Sequence, residues 1–151
     1  MNSYTKSIVI RAIPEEVFLF HTDVNNLVKI SPSFVKVSVL HADPPGLGQE
    51  VHIKVMQFGI FPIIMKMKFI EYEYPKVLTD MQLTGIFKSL KQVRIIEDIG
   101  DGYTRLTDKF EYEMPFGFLG IIAHVLFVRA MIQSMFTFRQ NATKKLLESN
   151  S

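Results

Sequence analysis

The chain has 151 residues, of which 48% are hydrophobic and 21% charged, which suits one globular domain with one sizeable core and excludes a disordered chain. A formal charge of +2, with no basic run interleaved with aromatics, excludes a nucleic-acid footprint. The absence of cysteine excludes disulfides, a thiolate nucleophile and a zinc–thiolate site, and agrees with a reducing, cytoplasmic compartment.

The N-terminal MNSYTKSIVIRAIPEEV has only a short apolar patch before Pro14, Glu15 and Glu16, so it is not read as a signal peptide. Residues 4–12 alternate and predict a strand. Pro14 with two carboxylates suits the first turn of a short helix carrying Val17, Phe18 and Phe20. A second short helix is expected from about Asn25 to Ile30, ending before Pro32. Residues 34–42 read as a strand closed by the turn-rich DPPGLGQ (43–49). Two alternating runs follow at 50–58 and 63–73, divided by Gly59 and Pro62 and stopped by Pro75. Their alternation sets Val51, Ile53 and Val55 against His52 and Lys54, and Met65, Met67 and Phe69 against Lys66 and Lys68. Strands at 77–84, 87–97 and 103–113 complete the set, the last two joined by the tight turn IGDGY, in which Asp-Gly accepts positive φ.

From Leu119 to about Glu148 the period turns helical, with Ile121, Val125, Val128, Ile132, Met135, Ala142 and Leu146 on one broad face. The first half of this helix is apolar nearly all round and is expected to be buried on more than one side. The most apolar stretch, Met114 to Phe138, is interrupted by His124, Arg129 and Gln133, and its longest fully nonpolar run, 114–123, is shorter than the ~18 residues of a membrane span, so no transmembrane segment is predicted. With no repeat or linker, residues 1–151 form a single domain. The order of elements predicts an α+β helix-grip fold: a curved antiparallel sheet wrapped around a long C-terminal α-helix, with two short N-terminal helices. A sheet with one wet face needs a cover on the other, and a sheet curled round one helix leaves a cavity.

Several polar residues interrupt that apolar interior. The last strand puts Arg105, Thr107, Lys109, Glu111 and Glu113 on the wet face, so Asp108 is carried inward with Thr104, Leu106, Phe110, Tyr112 and Met114. A buried carboxylate needs a partner, and Arg139 on the helix is the candidate. The plainer reading is an ion pair that fixes helix to sheet, or an arginine that reaches solvent. In the strand at 87–97, Leu90, Gln92, Arg94 and Ile96 share one face; both faces are mixed, so periodicity leaves the inward one open. His21, His41, His52 and His124 lack metal-ligand spacing, and the chain has no phosphate loop, nucleophile elbow or dinucleotide fingerprint, so no cofactor is expected.

The segment IFKSLKQVRIIEDIGDGYTRLTDKFEYEMPFGFLG resembles a bacterial branch of the START-like superfamily, also termed SRPBCC, the polyketide cyclase/dehydrase and lipid-transport group. That branch shows G-P-F-x-x-W-x-H-x-H-x-F, a glycine turn, then T-D-x-V-x-Y-x-x-P-x-G. Phe87, Thr107, Asp108, Tyr112, Pro115 and Gly117 match by position, and Phe136 with Arg139 matches the closing helix. Leu90 replaces the usual tryptophan, Gln92 and Arg94 the two histidines, and Ile96 the phenylalanine. If those histidines move protons in relatives, Gln92 and Arg94 cannot do so near neutral pH.

Three functions follow. The first is a binding protein whose hydrophobic small molecule (a lipid, isoprenoid or aromatic polyketide-like compound) fills a cavity lined by Met65, Met67, Phe69, Met81, Leu90, Phe110, Val128, Met131 and Met135. Asp108, Arg139, Gln92, Arg94 or Tyr112 would fix its polar end, with His124 inside or at the rim. The second is a cofactor-independent cyclase or dehydratase using Asp108, Tyr112 or His124. The third is an interaction module, with Leu119, Ala123, Leu126 and Ala130 docking a partner or a second copy in a homodimer; the two short helices packing there would be a simpler cover.

Overall fold

The computed structural model describes residues 1–57 and 61–149. Seven antiparallel strands form one sheet: β1 (Asn2–Ile10), β2 (Val35–Ala42), β3 (Glu50–Gln57), β4 (Phe61–Glu73), β5 (Val77–Thr84), β6 (Ser89–Gly100) and β7 (Tyr103–Glu113). Their spatial order is β1-β7-β6-β5-β4-β3-β2, so consecutive strands from β2 to β7 are neighbours and β1 closes the far edge against β7. Two short helices, α1 (Pro14–Thr22) and α2 (Val24–Lys29), bridge β1 to β2. After β7 the chain forms α3 (Gly117–Ala123), a π-helical turn (His124–Val128) and α4 (Arg129–Ser149), continuous along Gly117–Ser149.

Local chemistry sets the element ends. Pro14 opens α1 with Glu15 and Glu16 in its first turn, where carboxylates meet the positive end of the helix. Asp23 caps α2, its carboxylate accepting from the Asn25 backbone N–H at 3.0 Å. The β6–β7 hairpin turns through Gly100, Asp101 and Gly102, all at positive φ, as the IGDGY signature requires. Pro62 lies inside β4 and does not precede it. Residues 61–65 pair with β3 alone, since pairing with β5 begins at Lys66, and a proline is tolerated on such an open edge. Gly59 falls outside the described residues.

The inner face carries two apolar clusters. One joins Val17 and Phe18 of α1 to Ile10, Leu78, Ile96, Leu106 and Leu147; the other joins Leu90, Phe110 and Tyr112 to Ile132, Met135 and Phe136 of α4.

The long helix corrects two expectations. It begins at Gly117, and its first third is exposed: Phe118 75%, Leu119 70%, Val125 64%, Leu126 62% and Phe127 70%. The short helices do not cover it; α1 packs against β6 and β7, and α2 against β2. Ile121 and Val125 therefore leave the predicted buried face. The π-turn adds a residue to one helical turn, which rotates everything before it relative to α4. Within α4 the buried stripe is Ile132, Met135, Phe136, Gln140, Thr143 and Leu147, the last one residue on from the Leu146 that a regular helix suggests. By length and composition the helix could cross a membrane, with a mean hydropathy of 1.7 over its most apolar window. In this fold its C-terminal part is instead the helix that the sheet grips.

Candidate functional site

A cavity opens between the concave sheet and the long helix, about 900 Å³ including the solvent at its mouth. Val35, Val37, Ile53 and Val55 form one wall, Met65 and Met67 of β4 the floor, Leu90 and Phe110 another side, and Met114, Val128, Met131, Ile132 and Met135 the roof. Period-two alternation explains the strand contributions: each faces inward while its neighbours meet solvent. Gln57, Asp80, Gln92, Arg94 and Arg139 supply the polar part of the lining.

Ten of the sequence-predicted residues are brought together here: Met65, Met67, Leu90, Gln92, Arg94, Phe110, Val128, Met131, Met135 and Arg139. The face of β6 left open by periodicity is thereby decided, with Leu90, Gln92, Arg94 and Ile96 inward. The other five lie elsewhere. Phe69 lines a neighbouring cavity under α1 and α2. Asp108 borders a small polar cavity with Arg94, Arg139 and Gln140. Met81 points outward and is 36% exposed, because Asp80 takes the inward position on β5.

Tyr112 and His124 face a separate polar cavity beside β1. Their side chains are hydrogen-bonded to each other, Tyr112 Oη to His124 Nε2 at 2.6 Å, which ties the π-turn to β7. Burial pushes the tyrosine pKa up and the histidine pKa down, so both favour their neutral forms.

Strand register assembles the charged end of the cavity. Arg94 stands opposite Asp108 across β6 and β7, and Asp80 stands opposite Gln92 across β5 and β6, so Arg94 is diagonal to Asp80. Arg94 Nη1 donates to Asp80 Oδ1 at 2.8 Å, and its Nε lies 4.0 Å from Asp108 Oδ1. From α4, Gln140 Nε2 donates to Asp108 Oδ2 at 2.9 Å and to the Lys6 carbonyl at 2.9 Å. Burial raises the Asp108 pKa, opposed by Arg94, Gln140 and Arg139. The expected Asp108–Arg139 ion pair does not form. Arg94 is the cation directly across the strands from Asp108, and Gln140 is the residue through which the helix reaches it.

The Arg139 side chain is left without a hydrogen bond or ion pair among the described residues. Its Nε is buried and unpartnered, and its guanidinium lies 5.7 Å from the centre of the Phe136 ring. Desolvation and the nearby Arg94 lower its pKa to about 10, against the pull of Asp108 and Asp80, so it remains a cation at neutral pH. His21 completes the cluster. Its Nδ1 donates to the Val17 carbonyl at 2.8 Å, and burial and Arg94 push its pKa down to about 3, so the ring is neutral. Sequence reading missed Asp80, His21 and Gln140. Asp80 had a signal: two residues after Leu78, it shares that leucine's face. No group of three or more His, Cys, Asp or Glu able to hold a metal occurs among the described residues.

Residues 1–148 match the family model described as polyketide cyclase / dehydrase and lipid transport. The chain belongs to that family. Solved structures share the family's helix-grip fold throughout their length. A protein from Thermus thermophilus, TTHA0849, is 16% identical with a TM-score of 0.81, 99% of each chain being covered. The Zhui aromatase/cyclase from Streptomyces sp. R1128 is 16% identical at a TM-score of 0.78, over 97% of this chain and 93% of its own. A START superfamily protein from Mycobacterium smegmatis is 13% identical at 0.74, over 99% of both chains. No curated protein matches the sequence. Family and fold together make this a helix-grip domain of the polyketide cyclase / dehydrase and lipid-transport family.

Proposed function

We propose that the protein binds one apolar small molecule, a lipid, isoprenoid or aromatic polyketide-like compound, in the cavity between sheet and helix, with no covalent step required. The observation that carries this reading is an open cavity whose wall is Met, Phe and aliphatic side chains, with polar groups gathered at Arg94 and Arg139. Concave, mostly apolar sites with a few placed polar groups are how proteins hold such molecules. The ligand's apolar part would lie against Met65, Met67, Phe110 and Met135, and its polar end would turn toward Arg94 and Arg139.

A cyclase or dehydratase acting on the same ligand is the second reading, favoured by the buried Asp108 with its raised pKa. Tyr112 and His124 lend it little, since they face a different cavity.

Native and denaturing mass spectra of the purified protein test the binding reading. A hydrophobic adduct present in the first and lost in the second is expected, and Met67→Trp, which fills the cavity floor, should abolish it. A clean mass with no saturable uptake of a fluorescent lipid probe would sink the proposal. Turnover of the recovered adduct would move the assignment to the enzyme.

A further inference from the structure

We propose that the cavity's occupant carries an anionic head, a carboxylate, and that Arg139 is the residue that receives it. The inference rests on the cavity being a ligand site and adds the charge and chemistry of the ligand's polar end.

A guanidinium has five donors and no acceptor, and any of those donors that is buried without an acceptor is costly. The neighbouring carboxylates are already engaged: Asp80 accepts from Arg94, and Asp108 accepts from Gln140 with Arg94 beside it. Arg139 has neither, and its buried Nε lacks any acceptor. Phe136 meets Arg139 through its ring, 5.7 Å from centroid to guanidinium carbon. A ring provides no lone pair, so that contact leaves the buried Nε–H still in need of an acceptor.

Position supplies the second argument. Arg139 borders both the large apolar cavity and the small polar one, so it stands where an apolar tail would end and a polar head begin. His21, also at the small cavity, is neutral and uses its Nδ1–H on the Val17 carbonyl, so it does not compete as a cation. A hydroxyl or ester head would accept from Arg139 but bring no charge of its own; a carboxylate supplies an opposite charge in direct contact and two in-plane acceptors that fit the guanidinium fork.

The test compares cis-parinaric acid with its methyl ester by fluorescence titration, on the wild type, Arg139→Gln and Arg139→Lys. The wild type should bind the acid at least about tenfold more tightly than the ester. Arg139→Gln should erase that preference by weakening the acid alone, and Arg139→Lys should keep part of it. Equal wild-type affinity for acid and ester would overturn the anionic head while leaving the cavity reading intact. If neither probe binds, the cavity reading fails and this inference with it. Competition on the wild type by decanoate against decanol needs no variant: decanoate should displace the bound acid at lower concentration, and parity would overturn the proposal even if Arg139→Gln failed to fold.

Discussion

The two parts of the helix Gly117–Ser149 invert the usual relation between composition and burial. From Met114 to Val128 there is no Asp, Glu, Lys or Arg, yet Phe118, Leu119 and Phe127 are each at least 70% exposed. From Arg129 onward charges return, yet Ile132, Phe136, Gln140 and Thr143 are at most 2% exposed. The difference lies in what stands opposite. The α4 helix runs along β1 and faces the concave sheet, whereas α3 leaves the end of β7 through the left-handed Phe116 with little of the fold beside it. Apolar composition reports the capacity to be buried; the sheet's reach decides whether burial occurs.

Truncation at matched residues should separate the two parts most clearly. Phe136→Ala removes a ring packed against Phe110 and Tyr4 and should cost about 3–5 kcal/mol in urea unfolding. A loss under ~1 kcal/mol would mean that α4 is not the core helix. At the junction, Tyr112→Phe deletes the hydrogen bond to His124 and strands a buried ring nitrogen, for an expected loss of about 1–3 kcal/mol. The same variant should speed amide exchange in residues 117–128 more than in 129–149; uniform exchange would show that the bond does not anchor the exposed part.

The buried part also carries a pH signature. The folded-state pKa of Asp108 is raised above its ordinary 3.8, so the native state holds the proton to higher pH than the unfolded chain does. Its contribution is therefore most favourable below that value and is lost as pH rises through the folded pKa. Asp108→Asn keeps an acceptor for Gln140 without the charge, so its melting temperature should gain on the wild type as pH rises from about 4 to 8. A parallel pair of curves would show that Asp108 is not desolvated. The smallest stability effect is expected in the exposed part: Phe127→Ala should stay within about 0.5 kcal/mol while shortening retention on a hydrophobic column. A large loss of stability there would mean that this ring is buried in solution.

Much was legible in sequence because strand alternation and turn chemistry are local properties of the backbone. The pleat alone turns Asp108, Phe110 and Tyr112 inward, and the Gly-Asp-Gly turn sets the β6–β7 hairpin. Together with the run of strands before one long helix, this determined the fold and most of the cavity's wall. Tertiary structure decided the rest. Which face of β6 points inward depended on its pairing with β5 and β7, and the partner of Asp108 depended on cross-strand register, which put Arg94 opposite it. The exposure of residues 117–128 depended on where the sheet ends. Alternation says which side of a strand a residue occupies; only the packed chain says what it meets there.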